Sequence, residues 1–317
     1  MNADALVIGE ALIDIVETAD GDRELVGGSP ANVAVGLARQ GQDVRLLTRL
    51  GRDARGERIA AQITASGASV DEESWTDAAT STARARLRSD GSAEYVFAID
   101  WAVPAVPVDT VRAVHTGSIA LFLEPGGSTV LDVLRRARDS AGALVTLDPN
   151  IRPALVGGHD VALARFAQAA ASADLVKLSD EDAEWLYPGL DAAAVLHQIA
   201  SYGPRIVVMT RGGSGAIGLG PGGIAEVDAL AVTVVDTIGA GDAYMASLIS
   251  SALDEPAVFE DADIFAAALG RAAGTAGSPR SPPGAHPPAR PAVGPPPRRS
   301  PGWTAAWPLS RTPTAAA

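Results

Sequence analysis

Short apolar runs alternate with segments of helical period along most of the chain, and this alternation constrains the fold more than any other feature. "ALVIG" (5–9) reads as a buried strand, and "SPANVAVGLARQG" (29–41) as a helix opened by Ser29 and Pro30 and stopped by Gly41. "VRLLTRLG" (44–51) and "ARGERIAAQITASG" (54–67) repeat the strand and helix pattern, which resumes after residue 110 and continues to "RIVVMT" (205–210). Successive parallel strands need crossover helices, so the expected fold class is α/β, a doubly wound, mostly parallel sheet with helices on both faces. Two stretches break the rhythm. "TSTARARLRSDGSAEYVFAI" (80–99) alternates polar and apolar residues around "SDGS", as an exposed antiparallel hairpin does. With residues 11–26 it predicts a small β-sheet lid, drawn from about 11–26 and 80–102. "AIGLG" and "IAEVD" (216–228) predict a further hairpin. In open sheets of this kind ligands bind beyond the carboxyl ends of the strands.

Composition removes several function classes. No apolar run reaches the roughly 18 residues that span a bilayer, and "MNADALVIGE" has no basic region ahead of its apolar run, so no signal peptide or membrane partner is expected. The absence of cysteine excludes disulfides, thiolate catalysis and thiolate-zinc sites, and the expected setting is cytoplasmic. A net charge of −13 argues against nucleic acid as a partner. Only one of the 25 basic side chains is a lysine, Lys177. The charge is uneven as well. Residues 274–317 hold twelve of the 22 prolines, five arginines and no acid, whereas the body, 1–273, carries the whole acidic excess. Such a stretch has too little apolar surface to offset its ordering entropy, so it reads as an aberrant or disordered tail.

Four familiar motifs fail. "GGSGAIG" (212–218) spaces Gly213, Gly215 and Gly218 as a dinucleotide fingerprint would, but a strand follows it where a helix is required. A glycine-rich connection beside a nucleotide suits it better. A Walker A loop needs Gly-Lys, and the single lysine follows Val176. His115, His159, His197 and His286 never pair at ligand spacing, and no G-x-S-x-G elbow exists. What remains is "VVDTIGAGDAYMASLIS" (234–250), in which Gly239, Ala240 and Gly241 link a strand-like run to a helical one. Free N–H groups at a helix start form an anion site when no bulky side chain intervenes. Asp242 falls in the first helical turn, where it is equally read as a capping acid.

Upstream, "VGGSPANVAVGLARQG" (26–41) and "LGRDARG" (50–56) place two glycines, an asparagine and a helix in order. With "DTIGAGDAYMAS", about 200 residues on, they resemble the two signatures of the ribokinase-like (PfkB) family of carbohydrate kinases, with Ser247 where Ala or Gly is more usual. The resemblance runs from about residue 4 to 273. "GEALIDIV", "AEYVFAIDWA", "LDPNIRP" and "LVKLSDEDAEWLYPG" are most similar to the bacterial fructokinases within that family.

The resemblance implies ATP-dependent phosphorylation of a sugar hydroxymethyl group, most probable for fructose, with another keto-sugar such as 2-keto-3-deoxygluconate as the alternative. It makes Asp242 the catalytic base and Gly239, Ala240 and Gly241 the anion hole. Asp14, Gly28 and Asn32 become sugar contacts, joined by Asn150 and Arg152. Lys177, Thr210, Arg211, Gly213 and Gly215 are expected at the nucleotide. Ser179 and Asp182 stand where the family carries an Asn-x-x-Glu that organises Mg2+ through water, and both depart from that pattern. Asp236 is expected at a monovalent-cation site, K+ in this family. A homodimer through the lid is a further implication.

After "DIFAAALGRAAGTAG" (263–277) the family closes the adenine pocket, whereas this chain runs into "SPRSPPGAHPPARPAVGPPPRRS". The break resembles translation in a shifted reading frame of a GC-rich gene, although "GAHPP" echoes the family's "GA-x-PP". A tail of this kind is expected to weaken ATP binding. In the extreme it leaves a sugar-binding protein without turnover, the alternative from a different class.

Overall fold

The computed structural model describes residues 3–18, 21–87, 93–229 and 239–276. The strand-like run before the 239–242 turn, Asp236 within it and the proline-rich tail from residue 277 on lie outside the described residues, whereas residues 274–276, counted with the tail in the sequence, end a helix that starts at Ala262.

The main sheet contains nine described strands: β1 (Ala3–Ile8), β4 (Val44–Leu47), β6 (Ser69–Val70), β10 (Val111–Gly117), β11 (Leu144–Asp148), β12 (Leu175–Ser179), β13 (Ile206–Thr210), β14 (Ala216–Gly220) and β15 (Gly223–Val227). Their order is β15-β14-β13-β12-β11-β10-β1-β4-β6. All pairs from β6 to β13 are parallel, and β14 and β15 add the antiparallel hairpin expected at 216–228. A smaller sheet, in the order β3-β2-β8-β9, joins β2 (Leu12–Thr18) and β3 (Gly21–Gly27) to β8 (Thr82–Leu87) and β9 (Ala93–Ala98). These are the two segments, 11–26 and 80–102, expected to form the β-sheet lid. The expected strand over 44–51 is interrupted, because β5 (Leu50–Gly51) leaves the main sheet to pair with β7 (Trp75–Thr76).

Side chains on successive residues of β1 point to opposite faces, and both faces are apolar. Ala5 and Val7 pack into a core with α1 (Ser29–Arg39), α2 (Ala54–Ala65), α8 (Ala240–Asp254) and α9 (Ala262–Ala276). Leu6 and Ile8 face the other core, made with α3 (Ile119–Phe122), α4 (Gly126–Arg136), α5 (His159–Ala170), α6 (Asp180–Leu186) and α7 (Ala192–Ala200). The result is three layers, helix, sheet and helix, as a buried parallel sheet requires. No helix among the described residues is long and apolar enough to cross a membrane.

Two packing details decide where functional groups can sit. Chain order reverses between β1 and β10, which pair directly, so the crevice beyond their carboxyl ends is the topological switch point. On the first core, α1 lies against α8 at a close approach. A Cβ on Gly36 would stand 2.7 Å from the Ala246 Cβ, nearer than carbon atoms can pack. The glycine run near 212–220 also has a packing cause. Gly218 and Gly220 leave room for the Phe265 ring of α9, a Cβ at either standing 2.8 Å from it, and Gly215 adopts φ +82 against the Val227 carbonyl.

Replacing Gly36 by Val should therefore force α1 from α8 and cost about 1–3 kcal/mol, the usual penalty for overpacking a filled core. Urea unfolding followed by circular dichroism measures this. A gain in stability, as helix propensity alone would give for removing a glycine, would refute the packing account.

Candidate active site

The site is assembled at the carboxyl edge of the main sheet from four chain segments. The first is the N-terminus of α8. Gly239 is its N-cap in the left-handed region (φ 78), and a glycine brings no side chain to cap the helix. Asp242 follows in that turn and is buried.

The second segment is the start of α1, and it holds Asp242. Ser29 Oγ donates to Asp242 Oδ1 at 2.7 Å, and Asn32 Nδ2 donates to Oδ2 at 2.8 Å. Ser29 is free to do so because Gly28 is the N-cap of α1 and the helix has no side-chain cap. Gly28 itself sits at φ +111, a conformation that L side chains rarely adopt, and a Cβ there would collide with the Glu10 carbonyl. Each carboxylate oxygen of Asp242 thereby accepts one hydrogen bond and keeps lone-pair capacity for another donor.

Glu10 and Ser118 form the third segment, at the switch point. Glu10 follows β1, Ser118 follows β10, and the two are hydrogen-bonded. Ser118 is held at φ 52, one of two non-glycine residues at positive φ among those described. Burial pushes the Glu10 carboxyl up to about 7 against the pull of the Ser118 hydrogen bond and the Arg152 charge, with Asp242 adding to the rise. Its Oε2 is buried without a hydrogen-bond partner.

The fourth is the run of strand ends beyond β10. Asp148 closes β11, and its Oδ2 accepts from Lys177 Nζ of β12 at 2.8 Å. The two side chains are 2% and 5% exposed. Burial raises Asp148 to about 6 although Lys177 opposes the rise, and Asp148 Oδ1 has no partner. Burial works against the Lys177 ammonium too, but the Asp148 carboxylate more than compensates and the lysine stands above its ordinary pKa. Asn150 is the second non-glycine residue at positive φ (36). Arg152 stands beyond it, bonded to the Asn150 and Ile151 carbonyls, and its charge reaches both Glu10 and Asp14.

The smaller sheet covers this edge with Asp14 on β2. Burial raises the Asp14 pKa and the Arg152 guanidinium lowers it. Gly27 on the neighbouring strand leaves the space that the Asp14 carboxylate occupies. Asp14, Gly28, Asn32, Arg152, Asp242 and the 239–241 turn thus lie on one edge of the main sheet.

Other expected residues have different surroundings. Asn32 spends its amide on Asp242. Lys177 is buried against Asp148. Ser179 and Asp182 form a capping box at the start of α6: Ser179 Oγ accepts from the Asp182 N–H at 3.0 Å, and Asp182 Oδ2 from the Ser179 N–H at 3.0 Å. Asp182 Oδ1 also accepts the Ile151 N–H at 2.6 Å. Arg211 pairs with Glu226 at 3.2 Å, and Thr210 donates to the Leu178 carbonyl at 3.4 Å. Gly213 has open space around it. Among the described residues no group of three or more His, Cys, Asp or Glu is placed to hold a metal. Ser29, Glu10 and Asp148 are participants the sequence reading did not single out. For Glu10 one signal existed, an acid directly after an apolar strand.

Comparison with known proteins gives a consistent outcome. The model of the "pfkB family carbohydrate kinase" matches residues 2–283, ten residues further than the resemblance read from the motifs. The chain is similar to the fructokinase of Rhizobium leguminosarum bv. trifolii, 32% identical over 259 residues that cover 78% of each chain. It is also 32% identical over 265 residues to the fructokinase of Salmonella typhimurium, covering 79% of this chain and 85% of that one. Among solved structures, the fructokinase of Vibrio cholerae O395 in fructose, ADP and calcium ion bound form superposes with a TM-score of 0.74 at 25% identity. That match covers 86% of this chain and 91% of that one.

Glu10 makes stability depend on pH. Its folded pKa lies above its unfolded value, so its favourable contribution is complete below about pH 4.5 and is lost as pH rises through about 7. The loss at pH 8 is about 3 kcal/mol. Glu10→Gln should therefore melt close to the parent at pH 4.5 and roughly 5–10 °C higher at pH 8. Scanning calorimetry at the two pH values checks this, and equal shifts at both would remove Glu10 as the cause.

Proposed function

The chain belongs to the pfkB family of carbohydrate kinases and is an ATP-dependent sugar kinase, and from that premise we propose that fructose is its sugar and Asp242 its catalytic base. The observation that carries the reading is Asp242 fixed by Ser29 and Asn32 in the first turn of a helix whose N-cap is Gly239. The two relatives named above are both fructokinases, which favours fructose over other keto-sugars.

In this mechanism the sugar lies between the main sheet and the smaller one. Asp14 accepts hydrogen bonds from vicinal hydroxyls, and Arg152 with Asn150 borders the same space. The hydroxymethyl O–H points at Asp242. As its oxygen forms a bond to the γ-phosphorus of ATP, the proton passes to the carboxylate, the bond from that phosphorus to the β,γ-bridging oxygen breaks, and ADP leaves. Phosphoryl transfer needs chiefly positioning and charge stabilisation. The N–H groups of the 239–241 turn supply the second by facing the equatorial oxygens. ATP approaches along the ends of β12 and β13, near Thr210 and Arg211. Mg2+ suits this site as a passenger on the nucleotide phosphates. Ser179 and Asp182, already engaged in the α6 cap, fit contact with its water shell rather than direct ligation. The proposed K+ site includes Asp236, outside the described residues. The proposed setting is the cytoplasm, and the proposed partner is a second copy of the chain. Leu25, 40% exposed, leaves apolar surface open on the face of the smaller sheet that bears Asp14.

Coupled ADP-release assays over a panel of keto- and aldo-sugars test the proposal. Fructose should give the highest kcat/KM, and Asp242→Asn should lower kcat by at least about 100-fold, the lower range for general-base removal. A higher kcat/KM for 2-keto-3-deoxygluconate would replace fructose as the substrate. Undiminished turnover in Asp242→Asn would end the base assignment.

A further inference from the structure

Every basic residue in the chain but one is arginine; the exception, Lys177, is also among the most deeply buried charged groups described. Its ammonium bonds to Asp148 on one side and meets the N-terminal turn of α8 on the other. A Cβ on Gly241 would stand only 3.0 Å from Nζ, so the cation lies directly against the backbone of the turn that precedes Asp242. That placement opposes the helix dipole, which favours anions at an N-terminus. A buried ion pair also contributes little net stability compared with apolar packing of the same volume. The arrangement is therefore unfavourable for the empty protein twice over.

The carboxylates around it set the balance. Asp148, Asp182 and Asp242 all act on the Lys177 charge, and Asp148 keeps one oxygen unpartnered. A compact ammonium fits between one carboxylate oxygen and a glycine backbone. A planar guanidinium, with five donors to satisfy, does not. This accounts for a lysine in a chain that uses arginine everywhere else.

We infer that Lys177 is a positioning residue of the phosphoryl transfer, whose buried ammonium braces the Gly239–Gly241 turn from behind and supplies a fixed positive charge there. The inference rests on the reading of that turn as the anion hole. The γ-phosphoryl brings negative charge to the front of the turn. A cation held in a water-poor interior behind it acts at low dielectric and needs no reorganisation as the charge arrives. Lys177 makes no contact with the sugar in this scheme, so it acts on turnover and not on sugar binding.

The cysteine-free chain permits a direct test. Lys177→Cys introduces the only thiol, which 2-bromoethylamine alkylates in denaturant to rebuild an ammonium of nearly the same length before refolding. The unalkylated variant should lose at least tenfold in kcat with the KM for sugar unchanged, and alkylation should restore most of the loss. A kcat within threefold of the parent, or a loss that alkylation does not reverse in folded protein, overturns the inference. Should melting curves show Lys177→Cys to be unfolded, the neutral pair Lys177→Met with Asp148→Asn decides by the same kcat criterion. Asp242→Asn is assayed alongside. Retained turnover there defeats the reading of the base, whereas a Lys177 variant with full kcat beside an inactive Asp242→Asn defeats only the role given to Lys177.

Discussion

Two hydrogen bonds tie the ends of this fold together. Ser29 and Asn32, in the first helix of the chain, hold the Asp242 carboxylate more than 200 residues later. They can do so only because α1 and α8 approach at Gly36 and Ala246 without intervening side chains. The contact is chemical as well as architectural, since the group it immobilises is the one given the proton transfer. A carboxylate that accepts a hydrogen bond at each oxygen has a fixed plane, and its remaining lone pairs face one direction. In the proposed mechanism the sugar hydroxyl meets a base that needs no reorganisation.

Around this contact the sheet gathers more negative charge than it neutralises. Glu10, Asp14, Asp148, Asp182 and Asp242 converge, with Lys177 and Arg152 as the cations that act on them. Burial drives two of these carboxyls upward, Glu10 to about 7 and Asp148 to about 6, and neighbouring carboxylates add to the rise. Left-handed backbone at Ser118 and Asn150 lies on the same edge. Such costs persist where the surrounding structure over-determines them, and they collect at functional edges. Here the determinants are plain: β1, β10 and β11 are buried on both faces, so the residues that follow them have no freedom to relax.

Much of this was legible in the sequence because it is local. The strand and helix periods predicted the layers, and the polar–apolar alternation at 80–99 marked one half of the smaller sheet. The 239–242 turn by itself read equally as an anion site or as a capped helix start, and only its pairing with the motif at 26–41 favoured the first. What stayed hidden depends on which strands become neighbours. Glu10 gains its environment from Ser118, on a strand whose pairing with β1 spans about 108 residues. The direction of the Lys177 side chain follows from its place in β12 beside Asp148 on β11, and periodicity does not specify that register. Asp182 looked like a metal organiser by family position, yet its spacing of three from Ser179 is also that of a capping box, and the backbone N–H groups claim its oxygens first. The glycines at 215 and 218 imitated a nucleotide loop while serving the Val227 carbonyl and the Phe265 ring. Glycine marks close approach, and the sequence does not say to what.

Charge sign ties these strands of argument together. An acidic chain that binds a polyanionic nucleotide must concentrate its few compensating positive elements where the phosphates arrive. Arginines could serve on the surface, and they do, pairing with acids such as Glu24, Asp4 and Glu226. Beside the α8 turn the Lys177 ammonium stands against the Gly241 backbone and the Asp148 carboxylate, and there a guanidinium would leave donors unsatisfied at several times the cost of a surface mismatch. Gly241 leaves room for that cation, since a Cβ there would stand 3.0 Å from Lys177 Nζ. In the proposed mechanism the small residues of the turn thus serve two neighbours, the phosphoryl group and the ammonium.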